Sequence, residues 1–323
     1  MQILRHVKQP LVRPVMTIGN FDGVHLGHQD LLRRVMEDAR SREGSAVVLT
    51  FEPHPLKILA PSFAPRLILA RKDKLALLRR VGIDFVVIQR FTSSFCALSP
   101  HDFVSRYLVG LGVERLWVGD DFRFGKDRAG TVEELMTWGP AAGMEIKVIS
   151  AVADSDHAIS SSRIRALLEE GRVDIARRQL GRCHFIEGSV VKGHQRGREL
   201  GFPTANVRSR TEVVPGNGIY ATLVQVGGRQ MHSVTSIGVN PTFGAGPRTI
   251  ETHLLDFDED LYGRRLQVFF VERLREERNF PSVEGLVRQI EDDVVHARRV
   301  LSRNGPESPV ARCLTKRPVS PNI

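Results

Sequence analysis

The sequence predicts two modules of different class: an α/β domain on a parallel sheet, then an all-β domain, an antiparallel barrel or sandwich, with a C-terminal helix. Three observations carry this. Strand-like apolar runs alternate with helically spaced segments through the first half. Past residue 183 the runs are closely spaced and separated by short turns carrying Gly, Pro and Asn. The chain has 323 residues, which suits two domains of roughly 150 residues each.

In the first module residues 15–18 read as a short buried strand. Leu31, Leu32, Val35 and Ala39 follow at helical spacing. Residues 46–51 are a second strand, 74–80 a helix and 85–88 a third strand. Residues 103–111 are helical, and 116–118 and 146–149 are the fourth and fifth strands. This alternation implies a parallel sheet covered on both faces. Residues 164–180 read as one further helix, ended by Gly181. In the second module 186–191, 218–226, 231–239, 249–256 and 266–271 are strand-like. Leu286, Ile290, Val294, Ala297 and Leu301 mark one face of the closing helix. The expected domains are therefore 1–183 and 184–303. Residues 304–323 hold four prolines and no periodicity, and read as a disordered tail.

Apolar residues make up 41% of the chain, enough for two ordinary cores. No apolar run approaches the roughly 20 residues that span a bilayer. Residues 1–14 lack the apolar stretch of a secretory signal, so a cytoplasmic location is expected. Cys96, Cys183 and Cys313 are isolated, without CxxC spacing, and read as reduced thiols with no zinc site. The net charge of +9 favours polyanionic ligands such as nucleotides. Neither a nucleic acid nor a membrane is an expected partner, and oligomeric state is not legible.

The first informative string is Gly19-Asn20-Phe21-Asp22-Gly23-Val24-His25-Leu26-Gly27-His28, between a strand and a helix. Open α/β sheets bind ligands at such junctions. Gly19, Gly23 and Gly27 permit tight turns and close approach to a phosphate. His25 and His28, three apart, would share a face at a helix N-terminus, where unpaired N–H groups and the dipole favour anions. Displacement at a phosphorus needs this kind of positioning and charge stabilisation. A second string, Ile159-Ser160-Ser161-Ser162-Arg163-Ile164-Arg165, sets three hydroxyls before a helix with Arg163 and Arg165 in its first turn. That arrangement can clamp phosphate, or it can be a plain N-cap run with Ser162 as the cap.

The second module carries glycines at 188, 193, 197 and 201, ahead of Gly201-Phe202-Pro203-Thr204-Ala205-Asn206. The spacing is not that of a P-loop. It suits a flap over a nucleotide, or a Gly-rich turn before an edge strand. Thr204 and Asn206 offer hard oxygens suited to Mg²⁺ and, two apart, would face one side of an extended segment.

These strings resemble known families. Residues 19–28 resemble the HxGH signature of the nucleotidyltransferase superfamily. With Phe21-Asp22-Gly23 they are similar to the FAD synthetase module of prokaryotic bifunctional riboflavin kinase/FAD synthetases. Thr50-Phe51-Glu52-Pro53-His54-Pro55, Val118 to Gly125 and Ile159 to Arg165 resemble further segments of that module. Asp121 stands where some members carry Asn, and Ala158 where some carry Arg. The string Gly201 to Asn206 resembles the hallmark of riboflavin kinases. Gly218-Ile219-Tyr220-Ala221, Ile237 to Thr242, Glu251 to Asp256 and Asp260-Leu261-Tyr262-Gly263 follow in the family's order.

The resemblance implies a Rossmann-like nucleotidyltransferase domain followed by a six-stranded antiparallel barrel. It implies ATP-dependent phosphorylation of riboflavin to FMN, then adenylylation of FMN to FAD with release of pyrophosphate. ATP would be co-substrate, Mg²⁺ the metal, and no tightly bound prosthetic group is implied. His25, His28 and Glu251 would be catalytic, Glu251 as general base. Gly19, Phe21, Asp22, Gly23, Gly27, Asp121, Ser160, Ser161, Ser162, Arg163, Arg165, Gly188, Gly193, Gly197 and Gly201 would bind ATP, and Thr204 and Asn206 the metal. Two alternatives stay open on sequence: another HxGH nucleotidyltransferase, which the second module argues against, and a non-catalytic flavin- or nucleic-acid-binding protein, which the intact polar residues argue against.

Overall fold

The computed structural model describes residues 1–5, 11–154, 157–193, 196–239 and 248–302. The predicted tail 304–323, Cys313, and the motif positions His194, Gln195, Asn240, Pro241 and Thr242 lie outside the described residues. Two compact units form: residues 1–66 with 71–159, and 67–70 with 160–302.

The first unit runs β1 (Gln2–Leu4), β2 (Val15–Ile18), α1 (Leu26–Ser41), β3 (Ala46–Glu52), α2 (Leu56–Leu59), α3 (Arg71–Val81), β4 (Phe85–Arg90), α4 (Ser93–Cys96), α5 (Pro100–Phe103), β5 (Arg115–Gly119), α6 (Val132–Ala141) and β6 (Glu145–Ile149). A short hairpin of β7 (Ala153–Asp154) and β8 (His157–Ala158) ends it. Six strands pair in parallel in the order β1-β4-β3-β2-β5-β6. All four residues of β2 are buried, as a central strand covered on both faces requires. On α1, Leu32, Val35 and Ala39 are the buried stripe. Met16, Ile18, Leu49, Leu116 and Val118 share a core with Phe103, Leu108 and Leu135.

The second unit opens with α7 (Ser161–Glu169) and α8 (Val173–Leu180), followed by β9 (His184–Val191), α9 (Arg196–Glu199), β10 (Ala205–Ser209), β11 (Gly218–Val226), β12 (Arg229–Gly238), β13 (Thr249–Leu254), β14 (Arg265–Arg275) and α10 (Val283–Ser302). The strands close an antiparallel barrel, β10-β13-β12-β11-β14-β9. Ala221, Leu223 and Val234 pack against Ala297, Val300 and Leu301 of α10. Thr222, of opposite parity, joins Ser233, Thr235 and Thr252 in a buried hydroxyl ladder with links of 2.7–3.0 Å. Each hydroxyl satisfies another, so the polar patch is tolerated away from water.

Several elements differ from the expected ones. Residues 164–180 are two helices, because Gly171 (φ +78) turns the chain where an added Cβ would stand 2.8 Å from the Tyr220 hydroxyl. Residues 103–111 are α5, a π-helical turn over Val104–Leu108 and a 3-10 turn, with Phe103, Val104 and Leu108 all held in the core. Strand β1 and the hairpin β7–β8 were not expected, because two or three residues give too little alternation, and β10 lies where the sequence left an edge strand open. Cys96 is free, whereas Cys183 is disulfide-bonded, against the reduced state expected for it.

Candidate functional site

The first site is built where the connections of two adjacent strands diverge. β2 leads towards β3 and β5 towards β6, on opposite sides, so the carboxyl ends of β2 and β5 flank the crevice of an open sheet. Residues 19–25 connect β2 to α1. Gly23 (φ +80) takes a left-handed turn, and so do Phe21 (φ +50) and Val24 (φ +41), which lack glycine's freedom. Phe21, Asp22, Val24 and His25 are all buried.

His25 is the N-cap of α1 and lies outside its first turn: its Nδ1 accepts the His28 backbone N–H at 3.3 Å. An accepting Nδ1 carries no proton, so in the neutral ring the proton sits on Nε2. The two imidazoles stack, centroids 3.6 Å apart at 18°, and the Phe21 ring meets His28 edge-on at 5.1 Å. Gly27 makes this stack possible, since a Cβ there would crowd His25 Nδ1 at 3.3 Å. A Cβ at Gly19 would stand 3.2 Å from the Phe21 ring.

The loop after β5 is fixed from beneath. Phe124 is buried against Phe103, and Gly125 (φ +72) passes Pro100 so closely that a Cβ would lie 2.8 Å from its backbone. Asp121 is exposed, with its carboxylate turned back over Gly119. From β3, Thr50 is buried, and from α3 the Lys74 ammonium reaches Thr50 Oγ1 and the Asn20 carbonyl, each at 3.1 Å. Nothing in the sequence separated Lys74 from its neighbours Arg71 and Lys72.

The Ser-rich string belongs to the second unit, at the start of α7. Ser160 is the cap, in place of the expected Ser162, and accepts the Arg163 N–H at 3.2 Å. Arg165 donates to Ser162 Oγ at 3.4 Å. Ser161 occupies the first helical position.

The second site lies on the barrel. Asn206 and Glu251 face each other across the β10–β13 ladder. The Thr204 hydroxyl is 3.3 Å from Glu251 Oε2, and the Thr249 hydroxyl 3.3 Å from Oε1, so both carboxylate oxygens are held. Sequence reasoning missed Thr249, although its place two residues before Glu251 on one strand puts both on one face. The backbone at Gly193 runs against Asn206, where a Cβ would stand 2.3 Å from Nδ2. Gly197 and Gly201 shape the turn into β10: Phe202 donates its N–H to the Gly197 carbonyl at 2.7 Å, and Gly201 takes φ +84. Gly188 lies inside β9, where a Cβ would meet the Arg208 carbonyl at 2.4 Å, so strand packing alone demands glycine there. A cleft of about 320 Å³ adjoins Thr204, walled by Pro203, Leu254, Phe257 and Tyr262 and flanked by Arg198 and Asp258.

Family models for FAD synthetase and for riboflavin kinase match residues 8–163 and 180–301. A Pseudomonas fluorescens bifunctional riboflavin kinase/FMN adenylyltransferase is 43% identical, covering 88% of this chain and 92% of its own length. The Escherichia coli K12 protein of the same name is 39% identical, covering 90% and 94%. A solved structure described as a macrolide-efflux protein from Streptococcus pneumoniae superposes with a TM-score of 0.84 at 30% identity, over 92% of this chain and 98% of that one. In this chain no helix among the described residues is long and apolar enough to cross a membrane. Two family models in tandem, and relatives matched over nearly their whole length, place the chain in the family of bifunctional riboflavin kinase/FMN adenylyltransferases.

Proposed function

We infer that this chain makes FAD from riboflavin in two ATP-consuming steps, one at each site. The observation that carries the reading is that one chain holds two separately built sites, the histidine stack on a parallel sheet and the Thr204–Glu251–Asn206 group on a closed barrel. Riboflavin and ATP give FMN and ADP; FMN and a second ATP give FAD and pyrophosphate.

On the barrel, Glu251 takes the proton of the riboflavin 5′-hydroxyl as its oxygen attacks the γ-phosphorus. Thr204 and Thr249 hold the carboxylate in one orientation. Mg²⁺ fits the oxygens present: the Thr204 hydroxyl donates its hydrogen to Glu251 and keeps lone pairs, and Asn206, the register partner of Glu251, brings an amide oxygen. When bound, Mg²⁺ supplies charge neutralisation on the phosphates. Gly193, Gly197 and Gly201 border the nucleotide.

On the sheet, a phosphate oxygen of FMN attacks the α-phosphorus of ATP. His25 Nε2–H and His28 donate to the oxygens on which charge develops. Gly19, Phe21, Asp22, Gly23 and Gly27 shape the phosphate turn, and Asp121 faces the nucleotide. We assign both reactions to the cytoplasm.

Incubation with riboflavin, ATP and Mg²⁺ followed by chromatography tests the reading. FMN should appear first and FAD after it. Absence of both products overturns the assignment, and FMN without FAD overturns its first-unit half.

A further inference from the structure

Lys74 ties three elements of the first unit together. Its ammonium, on α3, donates to the Asn20 carbonyl and to Thr50 Oγ1, and the Thr50 hydroxyl lies 3.4 Å from that same carbonyl. Two carboxylates act on it, Asp22 and Glu52. Asn20 and Asp22 belong to the turn after β2, Thr50 and Glu52 to the end of β3. One cation therefore joins α3 to both motif-bearing strand ends.

Such a placement is unfavourable in itself. Burial pushes the Lys74 ammonium below the usual lysine range, and Asp22 and Glu52 offset this only in part. An apolar side chain would join helix to sheet without that desolvation. The turn it touches supplies the reason for a cation. Phe21 and Val24 hold left-handed backbone that persists only where the surroundings over-determine it. The Asn20–Phe21 peptide is trans, so its carbonyl and its N–H point opposite ways. Fixing the carbonyl on Lys74 aims the Phe21 N–H to the other side and sets the chain entering Phe21, whose ring abuts His28.

We propose that Lys74 is a positioning residue of the adenylyl-transfer site, holding through Asn20 and Thr50 the turn that orients Phe21 and the His25–His28 pair. This rests on the adenylyl-transfer reading of that site. Its signature is a loss of turnover larger than any loss of substrate binding, because the reacting groups are displaced while most of the binding surface remains.

The test is steady-state kinetics of full-length protein with FMN and ATP, with riboflavin phosphorylation in the same polypeptide as the control for folding. Lys74→Met keeps the volume and removes the charge. It should lower kcat for FAD formation ~10-fold or more while changing KM for FMN and ATP less than about 3-fold, the pattern of misplaced reacting groups. Retained kcat, or a rise in KM alone, overturns the proposal. Should Lys74→Met lose both activities through misfolding, Thr50→Val decides: it removes one acceptor, leaves the ammonium, and should lower FAD formation about 3-fold with riboflavin phosphorylation unchanged. Unchanged FAD formation in Thr50→Val then overturns the proposal. Wild-type protein that makes no FAD from supplied FMN overturns the reading of the site itself, whatever Lys74 does.

Discussion

The Thr204 hydroxyl lies 3.3 Å from Glu251 Oε2, joining a residue proposed for the metal to the residue proposed as base. The two are 47 positions apart in sequence and meet because β10 and β13 are neighbours in the barrel.

The division of labour predicts opposite losses. His28→Ala should cut FAD formation from FMN by about 10²–10³-fold, the scale of one lost charge-stabilising donor, and leave riboflavin phosphorylation intact. Glu251→Ala should cut phosphorylation by about 10²–10⁴-fold and spare FAD formation from supplied FMN. Product-resolved assays check both, and equal damage to both reactions by either change would rule out separate sites.

Gly193→Ala should impair the kinase without unfolding it. The new Cβ would meet the Asn206 amide at 2.3 Å, and a side-chain end can swing aside more readily than backbone. The displaced amide should lower riboflavin phosphorylation about 10-fold and raise the Mg²⁺ needed for half-maximal rate, with the melting temperature little changed. A Mg²⁺ titration of the variant decides.

The C-terminal helix is anchored by an enclosed ion pair. Arg275 on β14 donates from Nε and Nη2 to both oxygens of Asp293 on α10, at 2.7–3.1 Å, and Gln289 donates to the same carboxylate at 3.2 Å. Asp293→Ala leaves the half-buried guanidinium without its carboxylate and should destabilise the barrel unit by about 1.5–3 kcal/mol in denaturant unfolding. A change below about 1 kcal/mol would mean that the pair is solvated in solution.

Stability should fall on mild acidification because of His184. The ring is fully buried with Nε2 3.0 Å from the Val213 carbonyl, and burial pushes its pKa down to about 4 from 6.5. Above pH 6.5 the ring is neutral in both folded and unfolded chains, and its full contribution is present. As pH drops from 6.5 towards 4 the unfolded chain binds a proton that the folded ring refuses, so stability declines, by at most about 1.4 kcal/mol per pH unit. Denaturant midpoints at pH 7 and pH 5 measure the slope. His184→Gln, whose amide can still donate to Val213, should flatten it, and an unaltered slope would assign the effect to other groups.

The sequence by itself determined the class of both units, most of the strands and the closing helix, and it marked the strings proposed to carry the chemistry. It could do so because sheet burial writes a period into the apolar residues, and because glycines and histidines at a strand-to-helix junction have few other uses. Only the tertiary structure decided which distant residues meet. That His25 caps α1 and stacks on His28, that Thr249 and Thr204 both hold Glu251, and that Lys74 reaches Asn20 all follow from strand order and from the aim of single side chains. Periodicity sets the face on which a residue lies, whereas a contact depends on which elements become neighbours, and in this chain that is fixed by the order β1-β4-β3-β2-β5-β6 and by closure of the barrel.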